Sequence, residues 1–434
     1  MMIVSSFGTP LPIQTVKAMD GLIPKYEPVT HVSSNPNLYV SAENPLFKNY
    51  FAGPMVIEVI VIDPDIQRLD QAYGEPIVTV DGKRLRMAQA TDGNWYGYFA
   101  DMNQAIAAAN TAVLDGKGLN FGSFCDSRSQ FSPKSGVDYS DTRGFAIARG
   151  GFGSISYAHN GGSKITSSNL PICTNTMGSL TANQMEHVVR ENKTLNTNVN
   201  GFAASTVYED IWPVIQLYDF STFPTPVTID YQKAGGDQIV NLVFDRIPSN
   251  LIKVFANRPD FPPGSQVQGD LLDPQLNIDP TSEDSWTWGA SATNNTLYYM
   301  AFDSSGAPDA DGTLAMQNLI GNLTTFMFNH NGRLTENPNP QGVVVGQQQS
   351  NGIQTLFADS RGLMRTKSIN ALSVPLTIHE LVPNAGVFSD YDASGIADIL
   401  IKNNAPRDKS FTATYNDKTY SVVVKTHTAT LTIG

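Results

Sequence analysis

Carboxylate side chains beside predicted strand ends are the residues of this sequence whose type and spacing could do chemistry. The predicted strand 56–62 leads directly into Asp63-Pro64-Asp65, and the predicted strand 266–272 leads into Asp273-Pro274. Turn carboxylates next to a strand are oxygen ligands of the kind that Ca²⁺ binds in proteins. We therefore expect a bound calcium or another hard cation, with ligands drawn from Asp63, Asp65, Asp70, Asp101, Asp273, Asn277, Asp279, Asp284 and Asp390.

An alternative interpretation of these acids remains open. Asp and Asn are common in turns because their side chains accept hydrogen bonds from nearby backbone N–H groups, and that alone would explain their positions. The segment 273–279 also differs from an EF-hand loop, since it lacks the central Gly and the Glu at the twelfth position. The sequence thus predicts cation ligands without a recognised calcium motif.

Catalytic constellations are hard to find. The six His residues are scattered, with no His-x-His or His-Glu-x-x-His pair that would hold zinc. The Gly-rich stretches 116–122 and 150–153 lack the Lys-Ser/Thr and the following helix of a nucleotide-binding loop. Glu58 and Asp101 could form the catalytic carboxyl pair of a glycosidase, but nothing in the sequence distinguishes them from cation ligands or turn residues. We predict that the protein is not an enzyme.

The charge and composition narrow the classes of partner and fold. The formal net charge of −12 argues against a nucleic-acid surface, which needs clustered Lys and Arg, and favours cations as partners. Charged residues fall to 16%, so uncharged polar residues and Gly must supply much of the surface. Together with 35 Gly and 26 Pro between Val-, Thr- and Tyr-rich runs, this indicates strands and turns.

The cysteines, the sequons and the N-terminus bear on whether the protein is exported. Cys125 and Cys173, the two cysteines, are expected to form one disulfide, although two buried free thiols would also be consistent with the sequence. Sequons at Asn192, Asn294 and Asn322 would be glycosylated if the chain is exported. No apolar stretch is long enough to span a membrane, and the N-terminus is a poor signal peptide that we expect to be truncated or processed.

Three landmarks recur in the same order in both halves, which predicts two copies of one unit. The first is the strand with its Asp-Pro turn. The second is a Gly-aromatic strand followed by an acid, at 92–101 and again at 383–390, which makes Asp390 the counterpart of Asp101. The third is a closing hairpin with alternating apolar residues, at 226–244 and 410–424, which aligns Tyr231 with Tyr415.

We therefore expect an all-β fold of tandem immunoglobulin-like β-sandwich domains with long loop insertions. An extended arm would cover 1–34. The first sandwich would cover 35–247 with an insertion at about 113–190, and the second 248–434 with an insertion at about 304–365. The best helical candidate is the short Ala-rich stretch 105–112.

Two segments within these landmarks read Thr91-Asp-Gly-Asn-Trp-Tyr-Gly-Tyr-Phe99 and Pro383-Asn-Ala-Gly-Val-Phe388. They resemble segments of the S-layer proteins of ammonia-oxidising archaea. The similarity is dispersed over most of the chain, at residues 35–44, 53–59, 74–76, 90–101, 188–194, 212–220, 276–286 and 383–388. Members of that family are usually longer, so the resemblance implies an N-terminal part of such a protein or a short paralogue.

The resemblance implies a structural cell-surface protein, extracellular and glycosylated, that assembles with copies of itself and with other S-layer subunits into a porous lattice stiffened by cations. An acidic porous coat would also attract ammonium by raising the local cation concentration. Unchanged ammonium uptake at low supply after neutralising the acids would refute that last hypothesis. The alternative from another class is a secreted adhesin or glycan- or protein-binding module, and a secreted hydrolase ranks third.

Overall fold

The computed structural model shows an all-β protein. It describes residues 35–70, 75–109, 121, 123–125, 145–148, 188–189, 193–196, 214–290, 299–300, 316–317, 326–332, 334–337, 353–356, 365–368, 374–390, 397, 399–401 and 403–425. Within them, strands predominate. The described residues also contain the α-helix α1 (Met102–Ala109) and short 3-10 helices at Pro45–Phe47, Phe220–Thr222, Ser249–Leu251, Pro274–Leu276 and Asn329–Gly332.

The first sandwich consists of two facing sheets. Its strands are β1 (Leu38–Val40), β2 (Tyr50–Phe51), β3 (Ile57–Val61), β4 (Ile77–Val80), β5 (Lys83–Leu85), β6 (Ala88–Gln89), β7 (Trp95–Asp101), β8 (Ser123–Cys125), β9 (Phe145–Ala148), β10 (Val214–Tyr218), β11 (Val227–Gln232) and β12 (Gln238–Phe244). One sheet has the order β1-β3-β7-β10-β9-β8, with β6 also paired to β7. The other has the order β2-β12-β11-β4-β5.

The second sandwich follows the same plan. Its part of the chain contains β13 (Lys253–Ala256), β14 (Asp260–Phe261), β15 (Gln266–Val267), β16 (Gly269–Leu272), β17 (Ser285–Ala290), β18 (Tyr299–Met300), β19 (Met316–Gln317), β20 (Leu334–Asn337), β21 (Ile353–Leu356), β22 (Arg365–Ser368), β23 (Val374–Glu380), β24 (Val387–Ser389), β25 (Ile399–Leu400), β26 (Ser410–Tyr415) and β27 (Lys418–Val424). The two larger sheets run β13-β16-β24-β23-β17 and β14-β27-β26-β20. Three further pairs are β15-β25, β18-β19 and β21-β22.

Strand alternation explains how each sheet acquires its buried face. In β11, Val227, Ile229 and Tyr231 are buried while the residues between them are not, as expected for a strand with one face on the core. At one end of this core Phe51 meets Phe220 edge-to-face, with ring centroids 5.3 Å apart. Edge-to-face aromatic pairs contribute roughly 0.5–1.5 kcal/mol beyond their buried area.

Helix α1 begins earlier than its Ala-rich sequence predicts. The chain leaves β7 at Asp101, whose Oδ1 accepts a hydrogen bond from the backbone N of Gln104 at 2.8 Å. A carboxylate in this position caps the free N–H groups of a helix N-terminus. The cap therefore starts the helix at Met102 and not at Ala105.

Parts of the two predicted insertions belong to the sheets. In the second, β20 pairs with β26, and Phe326 and Phe328 are buried. In the first, β9 pairs with β10. Phe326 and Phe328 enter the core although long polar stretches separate them from the rest of their sandwich, which explains why composition alone placed them in a loop. The predicted arm 1–34 lies outside the described residues.

The two sandwiches repeat each other in strand order. Strands β1-β3-β7-β6 of the first correspond to β13-β16-β24-β23 of the second, and β2-β12-β11-β4 correspond to β14-β27-β26-β20. Both copies contain the same parallel pair at a sheet edge, β2 with β12 and β14 with β27. The predicted domain boundary at 248 falls between the end of β12 at Phe244 and the start of β13 at Lys253.

Candidate functional site: the Asp-Pro turns and the junction between the sandwiches

The first Asp-Pro turn ties the two sheets of the first sandwich together. Asp63 follows β3 and is 1% exposed, and its Oδ1 accepts a hydrogen bond from the backbone N of Asp65 at 3.0 Å. Its Oδ2 accepts from the Tyr231 hydroxyl of β11, in the facing sheet, at 2.7 Å, and from the ammonium group of Lys233. Burial acts to raise the pKa of Asp63, but the bonds from Lys233 and Tyr231 outweigh it and hold the pKa below its usual value.

The second Asp-Pro turn repeats this arrangement without the lysine. Asp273 follows β16 and is fully buried. Its Oδ1 accepts from the backbone N of Gln275 at 3.0 Å, and its Oδ2 accepts from the Tyr415 hydroxyl of β26 at 2.7 Å. Burial raises the pKa of Asp273 to about 6, although hydrogen bonds from Tyr415 and Gln275 act to lower it.

The two turns form equivalent cross-sheet links between an Asp at a strand end and a Tyr in the closing hairpin. The sequence landmarks aligned Asp63 with Asp273 and Tyr231 with Tyr415, and the structure gives each pair the same contact at 2.7 Å. The first and third landmarks are therefore structurally equivalent. The carboxylates bind protein donors within the fold, as turn-forming and sheet-linking groups do.

The second landmark is aligned differently in the structure than in the sequence analysis. Strand pairing places Trp95 opposite Val61 and Phe388 opposite Leu271, and each partner lies two residues before its Asp-Pro turn. Gly386, two residues before Phe388, therefore corresponds to Gly93. These two glycines have positive φ, +91° and +62°, a backbone conformation that favours Gly.

Asp390 is consequently not the counterpart of Asp101. It aligns with Gly97, which lies inside β7, where its missing side chain leaves room for the carbonyl of Arg86. A repeated Gly-x-Phe pattern produced the mistaken alignment. Side chains alternate between the two faces of a strand, so a shift of four residues keeps the same side chains facing inward. The apolar pattern alone therefore could not reveal the shift.

The other predicted ligands of the first half lie apart in the structure. Asp65 is exposed and lies 3.4 Å from Lys233, and exposed Asp70 forms an ion pair with Arg68 at 2.7 Å. Asp101 caps α1, and its Oδ2 accepts from the backbone N of Phe220 at 3.1 Å. Burial raises the pKa of Asp101 to about 6, while its backbone hydrogen bonds act to lower it.

The predicted ligands of the second half are buried and serve the local backbone. Oδ2 of Asp284 accepts from the backbone N of Ile278 at 2.6 Å and of Asp279 at 2.9 Å. Oδ1 of Asp279 accepts hydrogen bonds from the backbone N and from the hydroxyl group of Thr281. The remaining two contacts join segments that are distant in sequence: Asn277 donates to Asn384 at 2.8 Å, and Asp390 accepts from Gly269 at 2.8 Å.

Across the described part of the chain, no three His, Cys, Asp or Glu side chains gather into a group able to hold a metal ion. Cation binding therefore stays a prediction. Cys173 and the three sequon residues Asn192, Asn294 and Asn322 lie outside the described residues, so the disulfide and the glycans stay predictions as well. No described helix is both long and apolar enough to cross a membrane.

A buried acid that the sequence analysis missed supports the second sandwich. Glu380, at the end of β23, is 4% exposed and accepts hydrogen bonds from the backbone N of Gly386 at 2.6 Å and of Asp284 at 3.2 Å. Burial and the neighbouring carboxylate of Asp284 raise the pKa of Glu380 well above its usual value. Only the position of Glu380 at the end of an apolar strand could have indicated its burial.

The junction between the sandwiches is an apolar and closely fitted contact. One continuous core cluster contains Tyr98 and Leu217 of the first sandwich together with Trp286 and Phe388 of the second. A second cluster joins Phe47, from the loop after β1, to the hairpin that precedes β24. Buried aromatic side chains of this size dominate the energetics of such contacts.

Close backbone approaches show how tightly the junction is packed. Gly53 has a φ of +59°, and a Cβ there would overlap the backbone carbonyl of Phe326. On the other side, a Cβ on Gly386 would lie 2.9 Å from the ring of Phe47. Both positions require glycine, since any side chain would push the sandwiches apart.

Hydrogen bonds cross the junction in addition. The backbone N of Val56 donates to the carbonyl of Ile278 at 2.9 Å. Arg246 donates to the carbonyl of Phe328 at 2.7 Å, and the Asn384 amide donates to the carbonyl of Ser41 at 2.9 Å. These three hydrogen bonds join the two sandwiches at separate points, which fixes their relative orientation.

No protein-family model matches the chain, and no curated protein matches it.

Proposed function

We propose that this protein is a structural cell-surface protein, a subunit of an archaeal S-layer lattice, and that each sandwich is immunoglobulin-like. Immunoglobulin-like sandwiches place strands A, B, E and D in one sheet and strands C, F and G in the other. The orders β1-β3-β7-β6 and β12-β11-β4, and their counterparts in the second sandwich, support that assignment.

The observation that carries the structural function is the junction. A lattice must transmit lateral force from one contact to the next, which requires domains that hold a fixed orientation. Two sandwiches with a shared apolar core, glycine-dependent approaches and cross-junction hydrogen bonds are suited to that role. The dispersed resemblance to S-layer proteins and the net charge of −12 support placing the unit in an acidic surface coat.

Calcium-dependent assembly tests this function. We expect analytical ultracentrifugation of the purified chain to show growth into large species that depends on protein concentration and Ca²⁺ and is reversed by a chelator. A chain that stays monomeric under both conditions and binds a glycan saturably would instead be the adhesin of the alternative interpretation.

Exposed predicted ligands allow the cation to be tested without unfolding the protein. Asp65 and Asp70 are largely exposed, so their replacement by Asn leaves the core intact. We expect the double variant to need a higher Ca²⁺ concentration for assembly. Asp237→Asn, at another exposed acid of the first sandwich, is the matched control and should assemble like the parent chain. Equal behaviour of the two variants would remove Asp65 and Asp70 from the ligand set.

A further inference from the structure

A small, partly open cavity lies at the junction between the sandwiches. Its walls come from the first sandwich, through Ala42, Val56 and their neighbours, and from the second, through Pro274, Asn277 and Gly386. It has room for about one water molecule. The contact that holds the two sandwiches together therefore contains a space that one water molecule could fill.

One polar atom at this cavity has no hydrogen-bond donor within the described structure. Asn277 is 5% exposed, and its Nδ2 donates to Asn384 Oδ1 at 2.8 Å. Asn384 in turn donates to the carbonyl of Ser41, so the direction of both amides is fixed by this chain of bonds. Oδ1 of Asn277 is buried and is left without a partner.

An unpaired buried amide oxygen costs roughly 1–3 kcal/mol, so native proteins satisfy such atoms with protein or ordered water. A buried water molecule needs polar surroundings and two to four partners. Ser41, Asn44 and Asn384 add polar groups to the cavity wall beside Asn277. Both the size and the polarity of the site therefore match one bound water molecule.

We propose that the junction binds one ordered water molecule, which donates a hydrogen bond to Asn277 Oδ1 and completes the polar contact between the sandwiches. The water acts as a structural ligand. It fills space that neither sandwich occupies and satisfies an oxygen that neither sandwich reaches. This inference concerns the junction itself and does not depend on the proposed surface function.

Cavity filling tests the proposal through the sign of its effect. Val56→Ile adds one methyl group to the cavity wall without changing the backbone preference of the residue. If the methyl displaces a bound water, Asn277 Oδ1 loses its donor, and we expect the melting temperature of the full chain to fall by about 2 °C or more. In an Asn277→Leu background no oxygen remains to be satisfied, and the same Val56→Ile change should leave the melting temperature unchanged or raise it.

Three results would overturn the proposal. A rise in melting temperature for Val56→Ile alone would show an empty apolar cavity. Equal losses in both backgrounds would show steric overpacking only. The third result compares KCl with choline chloride at equal ionic strength. A higher melting temperature in KCl, seen only when Asn277 is present, would identify the occupant as a small cation. A high-resolution crystal structure of the unaltered chain should show one water peak about 2.8 Å from Asn277 Oδ1.

Discussion

Replacing Tyr415 by Phe isolates the cross-sheet link of the second sandwich. The substitution removes one hydroxyl group from a fully buried side chain and leaves the ring in place. Oδ2 of Asp273 then loses its 2.7 Å bond from that hydroxyl and keeps only the longer contact with the Gln275 amide at 3.2 Å. No solvent can replace the donor, since Asp273 and Tyr415 are both 0% exposed.

The expected loss follows from the charge and burial of the acceptor. A hydrogen bond to a charged group contributes about 1.5–3 kcal/mol, and a buried acceptor left unpaired retains its full desolvation cost. We therefore expect Tyr415→Phe to lower the free energy of unfolding by about 2–3 kcal/mol. The pKa of Asp273, already raised to about 6, should rise further because a bond that lowers it is gone.

The first sandwich supplies the matched control. Tyr231→Phe removes the equivalent hydroxyl, but Lys233 continues to pair with Asp63 there. The loss should be smaller, about 0.5–1.5 kcal/mol. Urea unfolding followed by circular dichroism measures both variants against the parent chain. Equal losses, or a larger loss for Tyr231→Phe, would refute the reasoning that the Lys233 ion pair, which Asp63 has and Asp273 lacks, decides how strongly each link depends on its tyrosine.

Three further predictions concern a half-buried acid, the junction and the cation. Burial raises the pKa of Asp270 to about 6. Asp270 therefore contributes its full stabilisation of the folded state below its ordinary pKa of 3.8. This contribution is lost as the pH rises from 3.8 through 6. Asp270→Asn should reduce the fall in unfolding free energy between pH 4 and pH 7, measured by urea titration, by about 2 kcal/mol. An unchanged pH dependence would contradict this. Gly53→Ala should lower the melting temperature more than Gly82→Ala, because both have positive φ but only Gly53 faces the backbone of Phe326. Similar shifts would show that the junction tolerates a side chain there. Finally, Ca²⁺ should raise the melting temperature of the parent chain, whereas an unmoved value would count against the predicted ligand set.

Local patterns in the sequence predicted the parts of the fold that local interactions determine. Alternating apolar residues predicted the hairpin of β11 and β12, and the repeated Asp-Pro turns predicted the aligned positions of Asp63 and Asp273. Because an inward-facing pattern repeats every two residues, it could not determine the register of β7, and a shifted match looked equally good.

The junction could not be predicted because it depends on surfaces from distant parts of the chain. Phe326 and Phe328 lie in a stretch of mixed composition, and their burial depends on the position of the first sandwich. The same holds for the candidate site. Turn acids were recognisable as a class, but whether each one serves a cation, a backbone N–H or a tyrosine hydroxyl depends on what the fold places next to it.

Electron microscopy of the purified chain tests the central claim most directly. The proposed function predicts ordered two-dimensional sheets or regular oligomers in the presence of Ca²⁺, which dissolve when a chelator is added. Single dispersed particles under both conditions, at concentrations where the chain remains folded, would contradict the claim that the protein is a subunit that assembles into a surface lattice.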